Sequence, residues 1–424
     1  MKEFYLKPKL FSAVKDYNKK QLLNDIIAGI IVAIIALPLS IALAIASGVE
    51  PANGVYTAIA AGFVVSFLGG SRIQIAGPTA AFATIVASIV ASKGMDGLFL
   101  ATVIAGIILI LLGILKLGSL IRFIPHTITV GFTAGIAVTI LLGQIKDFLG
   151  ITYGEGIKPI ETFEKIEANI KFIDTFNWQS LAVGSVSLLI LIFYPKLEKK
   201  IPPSLIAVLV CSAGVALIPA LDSGVYTIGE LYTIPSGLPK IDYSGFDLSI
   251  SKLLSVLPDA FTIAILAAIE SLLSCVVADG MVNSKHNSNM ELVAQGCGNI
   301  ASVFFGGIPA TGAIARTAAN AKNGGRTPIA GMVHSVVLLL VLLFLMPYAQ
   351  LIPMPTIAAI LFMVAYNMSE YKKFGKILKT SHFTDSIVMI VTFLFTVIFD
   401  LVVAIAVGIG LAVIFAIIKK LKKN

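Results

Sequence analysis

Fourteen apolar stretches follow one another between residues 24 and 418, separated by short polar loops. That pattern leaves one solvent in which the chain can fold. A helix needs about 20 apolar residues to cross roughly 30 Å of hydrocarbon. The first seven stretches cover about 24–47, 54–69, 78–92, 97–115, 126–149, 180–194 and 203–220. The second seven cover about 257–279, 291–305, 310–321, 328–346, 355–368, 384–399 and 401–418. Only 13% of the 424 residues are charged, about half of what a soluble domain carries. Soluble enzymes, nucleic-acid-binding modules and disordered scaffolds all need a charged exterior that this chain lacks. The sequence reads as an all-α polytopic membrane protein.

The net charge of +8 reports topology rather than a nucleic-acid partner. If both termini are cytoplasmic, the inner loops hold 23 of the 31 Lys and Arg residues. They run from Lys2, Lys7 and Lys9 through Arg72, Arg122, Lys199, Lys200, Lys322 and Arg326 to Lys372, Lys373, Lys376 and Lys379, and end at Lys419, Lys420, Lys422 and Lys423. The outer loops hold seven: Lys93, Lys146, Lys158, Lys165, Lys171, Lys240 and Lys252. Arg316 alone stays inside a segment. This positive-inside bias predicts an even number of spans in the inner (plasma) membrane. No cleavable signal peptide is visible, because residues 1–20 are polar and Lys-rich and the first apolar stretch is long enough to span. Residues 221–252 read as an extracytoplasmic connection. In the outer loop 150–177, Glu/Lys spacing predicts a short surface helix, followed by Trp178 at an interfacial position. Cys211, Cys275 and Cys297 have no paired spacing and read as packing residues.

Two segments are too short. Ser71–Phe82 (SRIQIAGPTAAF) predicts a short strand ending at Gly77-Pro78, and the helix that follows reaches only about 20 Å by Ala91. Ser302–Arg316 (SVFFGGIPATGAIAR) is again an extended apolar run, broken at Gly306-Gly307 and Pro309, and the helix from there to Asn320 cannot cross. Each is the third segment of its half. Matching interrupted segments point to an inverted repeat of seven plus seven spans with a site at the midplane. A helix that starts inside the bilayer offers free N–H groups and about half a positive charge, so two such ends form an anion site. Thr79 and Thr311 add hydroxyls, and Ala80, Ala81, Gly312 and Ala313 let a ligand approach the backbone. The competing reading is that the breaks are simple kinks.

Ionisable residues inside a membrane are costly and mark function or pairing. Arg316 either adds fixed positive charge beside the anion site or snorkels to the cytoplasmic edge. Glu270 sits mid-span in Leu257–Gly280, with Ser274 one turn later on the same face. It is the candidate coupling residue, taking up H+ or binding Na+, or else a structural partner for Arg316. Asp259 and Asp279 read as boundary residues. His334 is better placed for a helix–helix hydrogen bond than for a relay. His126, His286 and His382 have no ligand spacing. No structural metal, cofactor or enzymatic motif is predicted.

At GPTAAF, AAIESLLS and IPATGAIARTAANAKNGGRTPIAG the sequence resembles the SulP family of inorganic anion transporters, relatives of the SLC26 carriers. Ala36–Ala58, Thr129–Ile145, Ile352–Met368 and Asp385–Gly408 extend the likeness over about residues 20–418. The resemblance implies a UraA-like fold of fourteen helices. Residues 21–123 (spans 1–4) and 253–346 (spans 8–11) would form a core domain, and 124–220 and 347–418 a gate. Residues 1–20 and 419–424 would be cytoplasmic ends, with the family's STAS domain absent after KKLKKN. It also implies an elevator-type movement in a homodimer. Thr79, Ala80, Gly312, Ala313 and Arg316 match positions lining the family's anion site, beside Ala81, Thr311 and Ile314. Glu270 and Ser274 match its coupling-ion region. The sodium-dependent bicarbonate branch carries Asp, Thr and a hydroxyl near the positions of Glu270, Ser274 and Ile314, so the residues here favour H+ over Na+. The expected function is secondary transport of sulfate, bicarbonate or a dicarboxylate. The alternatives are a nucleobase carrier of the same fold, for which a second carboxylate in the tenth segment is missing, or an anion channel or exchanger.

Overall fold

A single glycine divides the longest helical run of the chain. Gly94 has φ 74°, a left-handed conformation that costs glycine little and other residues much, and the third and fourth apolar segments meet there. The computed structural model describes residues 6–421 except 16, 120–125, 158, 199–200, 223, 235–236, 240–246, 248 and 400, and excludes the side chains of 222, 401–402, 405, 416 and 419–421. Lys2, Arg122, Lys158, Lys199, Lys200, Lys240, Lys422 and Lys423, part of the 221–252 connection and the boundary at 123–124 lie outside the described residues, as do the side chains of Lys419 and Lys420.

In chain order the first elements are α1 (Lys9–Ala13), α2 (Lys19–Ala46), α3 (Pro51–Leu68), β1 (Ala76–Gly77), α4 (Ala80–Ile114) and α5 (His126–Leu149). Then come α6 (Thr162–Lys171), α7 (Trp178–Leu197), α8 (Pro203–Leu217), α9 (Pro219–Asp222) and α10 (Ile228–Leu231). The remainder are α11 (Ile250–Val282), α12 (Ser288–Phe304), β2 (Thr311–Gly312), α13 (Ile314–Lys322), α14 (Ile329–Phe344), α15 (Met354–Met368), α16 (Tyr371–Thr380), α17 (Phe383–Ile398) and α18 (Leu401–Leu421). Among the described residues, α2, α3, α4, α5, α7 and α11 are long and apolar enough to cross a membrane, and α8, α14 and α17 are shorter apolar helices. The chain folds as a mostly helical, multi-pass membrane protein. α6 lies within the 150–177 loop and is closed by a capping box between Glu161 and Glu164, which satisfies first-turn N–H groups. Trp178 is the first residue of α7 and is exposed.

Packing sorts the helices into two groups. In one, α12 lies between α3 and α4, α11 packs on α4 and α13, and α14 packs on α2 and α3. In the other, α17 packs on α5 and α18, and α15 packs on α5 and α7. The α4–α12 crossing is close because glycine faces glycine. A Cβ on Gly106 would stand 2.8 Å from the Gly296 carbonyl oxygen and 2.6 Å from Ile300 Cγ1. Small residues let membrane helices approach and gain dispersion contacts where water supplies no hydrophobic drive.

The extended leads differ in length from the sequence-based expectation. β1 holds two residues rather than most of Ser71–Gly77, and Ser302–Phe304 belong to α12. That helix runs on to Phe304, and Gly306 takes φ 75° just beyond it. β1 and β2 pair antiparallel, with Ala76 opposite Gly312 and Gly77 opposite Thr311. The pairing is as short as it is because each strand runs directly into a helix.

Candidate functional site

Extended backbone at membrane depth survives only if every N–H and C=O finds a protein partner. Two ladder positions cannot supply enough of them, and side chains from neighbouring helices do the rest. On the β1 side, Thr317 Oγ1 accepts from Ile75 N (3.0 Å), the Ile75 carbonyl accepts from Ala313 N (2.8 Å), and Asn320 Nδ2 donates to the Ile73 carbonyl (2.8 Å). On the β2 side, Asn299 bonds both N and O of Ala310 at 2.9 Å, and Thr57 Oγ1 accepts from Ile308 N at 2.7 Å. Each lead is therefore held partly by the helices of the other half of the sequence.

Glu291 anchors the turn into β1. Its fully buried carboxylate accepts from Gly70 N (2.9 Å), Ser71 N (3.2 Å), Gln74 Nε2 (2.7 Å) and Gln295 Nε2 (2.9 Å). Glu291→Ala strands four buried donors, at about 1–3 kcal/mol each. The expected result is loss of a monodisperse peak in detergent or a fall of more than about 10 °C in Tm. Glu291→Gln should fall between the two, and an unchanged melting curve for the alanine variant would refute the anchor.

The two helix starts converge on a cavity of about 320 Å³ lined by Thr79, Ala80, Ala81, Glu270, Gly312, Ala313, Ile314 and Arg316, with Thr133 of α5 and Val364 and Asn367 of α15 opposite. Neither helix start is capped by a side chain. Thr79 occupies the N-cap of α4, where threonine normally accepts from its own first turn. Instead its hydroxyl donates to Glu270 Oε2 at 3.0 Å. Ala313, at the N-cap of α13, has no side chain to offer. The first turns of both helices thus face the cavity uncapped, with the dipole end of each directed at one space.

Thr311 is fully buried and does not line the cavity; its hydroxyl bonds Glu270 Oε2 (2.9 Å) and Thr79 Oγ1 (3.2 Å). The Glu270 carboxylate is therefore tied to the start of each short helix by one hydroxyl. Ser274 is also fully buried, and its hydroxyl donates to Thr317 Oγ1 at 3.4 Å, so it contributes no atom to the cavity wall. Ile314 is the most exposed of these positions, at 45%.

Arg316 neither snorkels nor pairs with Glu270. It is 1% exposed, Nη2 donates to Ser40 Oγ of α2 at 3.2 Å, and Nε and Nη1 have no hydrogen-bond partner. No carboxylate lies within ion-pair distance of it among the described residues. The guanidinium packs against Gly77, where any side chain would overlap Nη1. His334 is buried as well, with both ring nitrogens unpartnered among the described residues. The boundary carboxylates are engaged elsewhere. Asp259 pairs with Lys93, and Asp279 bonds His286 Nδ1 at 2.7 Å.

Several structural residues escape a search for isolated charges. Ser271, next to Glu270, accepts from Gly312 N at 3.0 Å and fixes the end of β2. Glu291, Gln295, Asn299 and Ser302 recur at spacings of four, four and three, a polar stripe on one face of an otherwise apolar helix. All four are buried. That stripe is the signal that would have found them.

The family model for the sulfate permease family matches residues 22–392. The chain belongs to that family. It is 43% identical over 388 residues to YvdB of Bacillus subtilis (strain 168), a protein named for sulfate transport, covering 90% of this chain and 71% of YvdB. It is 33% identical to the bicarbonate transporter BicA of Picosynechococcus sp., covering 82% of this chain and 62% of BicA. The solved transmembrane domain of a cyanobacterial BicA superposes with a TM-score of 0.80 at 30% identity, covering 92% of this chain and 98% of that one. The murine Slc26a9 anion transporter superposes at 0.87 and 20% identity, covering 98% of this chain and 72% of that one, a likeness of fold. The family match thus spans both interrupted segments and most of the apolar helices of this chain.

Proposed function

We propose that this sulfate permease family member is a secondary transporter of a small oxyanion, of the sulfate, bicarbonate or dicarboxylate class. The observation that carries the reading is the convergence of two uncapped helix starts and the unpaired Arg316 on one cavity. Such a site binds negative charge through backbone dipoles and one fixed cation. A neutral nucleobase would gain little from it.

Glu270 is the coupling group in this reading. While ionised it sets a negative charge beside the anion; a proton removes that repulsion, so anion and proton bind together. Thr79 and Thr311 link its state to both helix starts. The seven-plus-seven inverted repeat is supported by the matched leads and their reciprocal clamps. The group containing α2–α4 and α11–α14 would act as the moving core, and the group containing α5, α7, α8, α15, α17 and α18 as the gate. The cavity lies between them and reaches Asn367, Met368 and Glu370, next to the Lys-rich α16. By the positive-inside rule this is the cytoplasmic side, and the conformation is inward-facing.

Purified protein in liposomes tests the reading. Radiolabelled sulfate, bicarbonate and fumarate are each offered with an inward H+ or Na+ gradient. Saturable, gradient-driven uptake of one of them, with counterflow, is expected. Steady current under voltage without saturable counterflow would identify a channel, and transport of none of the three would reject the oxyanion reading.

A further inference from the structure

A second polar cavity, of about 180 Å³, shares no lining residue with the first. Tyr17 and Gln21 from the start of the chain, Arg72 from the β1 lead, and Arg326 and Thr327 from the α13–α14 loop form its walls. Three segments distant in sequence thus meet around two guanidinium groups. Arg72 makes no side-chain hydrogen bond or ion pair among the described residues, and its Nε is buried. Arg326 has one nitrogen committed, Nη1, which donates to the Ala321 and Gly325 carbonyls at 2.7 Å each.

The neighbouring carboxylate, Asp25, is already occupied. It accepts from Tyr17 Oη (2.9 Å), Gln21 Nε2 (3.0 Å), Arg326 N (2.8 Å) and Thr327 Oγ1 (2.5 Å). Burial and the Asp25 charge push the Tyr17 hydroxyl well above its ordinary range, so it stays a neutral phenol. Among the described residues, two positive charges against one saturated negative leave the cavity cationic, with unpaired donors of the fork geometry that matches oxyanions.

We propose that this cavity binds a phosphate-type oxyanion, as a site separate from the transport cavity. Its volume lies below the roughly 300 Å³ at which organic-ligand pockets begin, so it suits one oxyanion group rather than a nucleotide. The bound group would bridge the N-terminal segment to the β1 lead and to the α13–α14 loop. Inorganic phosphate and the phosphomonoester headgroup of a lipid offer the same chemistry.

Calorimetric titration of the full chain with inorganic phosphate tests the site, comparing wild type with Arg72→Met. The substitution should weaken this binding about ten- to a hundredfold, while leaving the phosphate-free melting temperature unchanged. Arg72→Lys keeps the charge but loses the fork, and covers the case in which the methionine variant does not fold; it should bind at least about fivefold more weakly. Phosphate binding that is the same in wild type and both variants, or absent from wild type, overturns the proposal. Nanodiscs with and without phosphatidic acid then separate the sources. Displacement of phosphate by the lipid assigns the site to a headgroup, and phosphate binding unaffected by it assigns the site to a soluble anion.

Discussion

Glu270→Gln should abolish concentrative, gradient-driven anion uptake in proteoliposomes while sparing exchange of labelled for unlabelled anion. Glutamine has the shape of the acid, and its amide oxygen can still accept from Thr79 and Thr311, which bond Glu270 Oε2 at 3.0 and 2.9 Å. The cavity and the two helix starts should therefore persist. What is lost is the proton. A side chain that never titrates cannot make anion binding depend on the outside pH. Wild-type uptake should rise as the outer pH falls, and the variant's should stay flat. Accumulation by Glu270→Gln at the wild-type rate would remove Glu270 from the coupling role without touching the anion site.

Arg316→Met should raise KM for the transported anion by about ten- to a hundredfold, the range expected when a charge-assisted contact is deleted. The fold should tolerate the change unusually well. Deleting one partner of a buried ion pair is damaging because the other charge is left uncompensated. Here, among the described residues, no carboxylate within ion-pair distance depends on Arg316, and Nε and Nη1 already lack partners. The methionine variant should melt at or above the wild-type temperature. A drop in Tm with KM unchanged would make Arg316 a structural residue. Together with Glu270→Gln, this separates the two charges: one sets affinity and the other sets coupling.

The helices were legible because apolar runs of spanning length have one stable solution in lipid. Spans and breaks could be placed to within a few residues at α2, α5, α8 and α15. α16 escapes a search for long apolar runs, because its apolar residues Tyr371, Phe374, Ile377 and Leu378 recur at helical spacing between lysines instead of forming an unbroken stretch. The interrupted segments were legible from Gly77-Pro78 and Gly306-Gly307, where helix cannot continue. The clamps on those segments were not, because Glu291, Asn299, Thr57 and Thr317 each meet a partner that is distant in sequence or shares no spacing with it.

By itself, then, the sequence determined the solvent, the approximate spans, the two interrupted helices and two of the charges retained in the apolar segments, Glu270 and Arg316, but not the buried Asp25 and Glu291. Those properties are local, depending on apolar length and on glycine and proline. Only the tertiary structure decided what the charges do. It turned Thr79 and Thr311 towards Glu270 instead of their own helix ends. It buried Ser274 away from the cavity, and kept Arg316 both out of water and apart from Glu270. Each of these outcomes depends on which side of a helix meets which neighbour, with partners between 41 and 276 residues apart in the chain. A side-chain hydroxyl or guanidinium has several partners within reach, and packing alone selects among them.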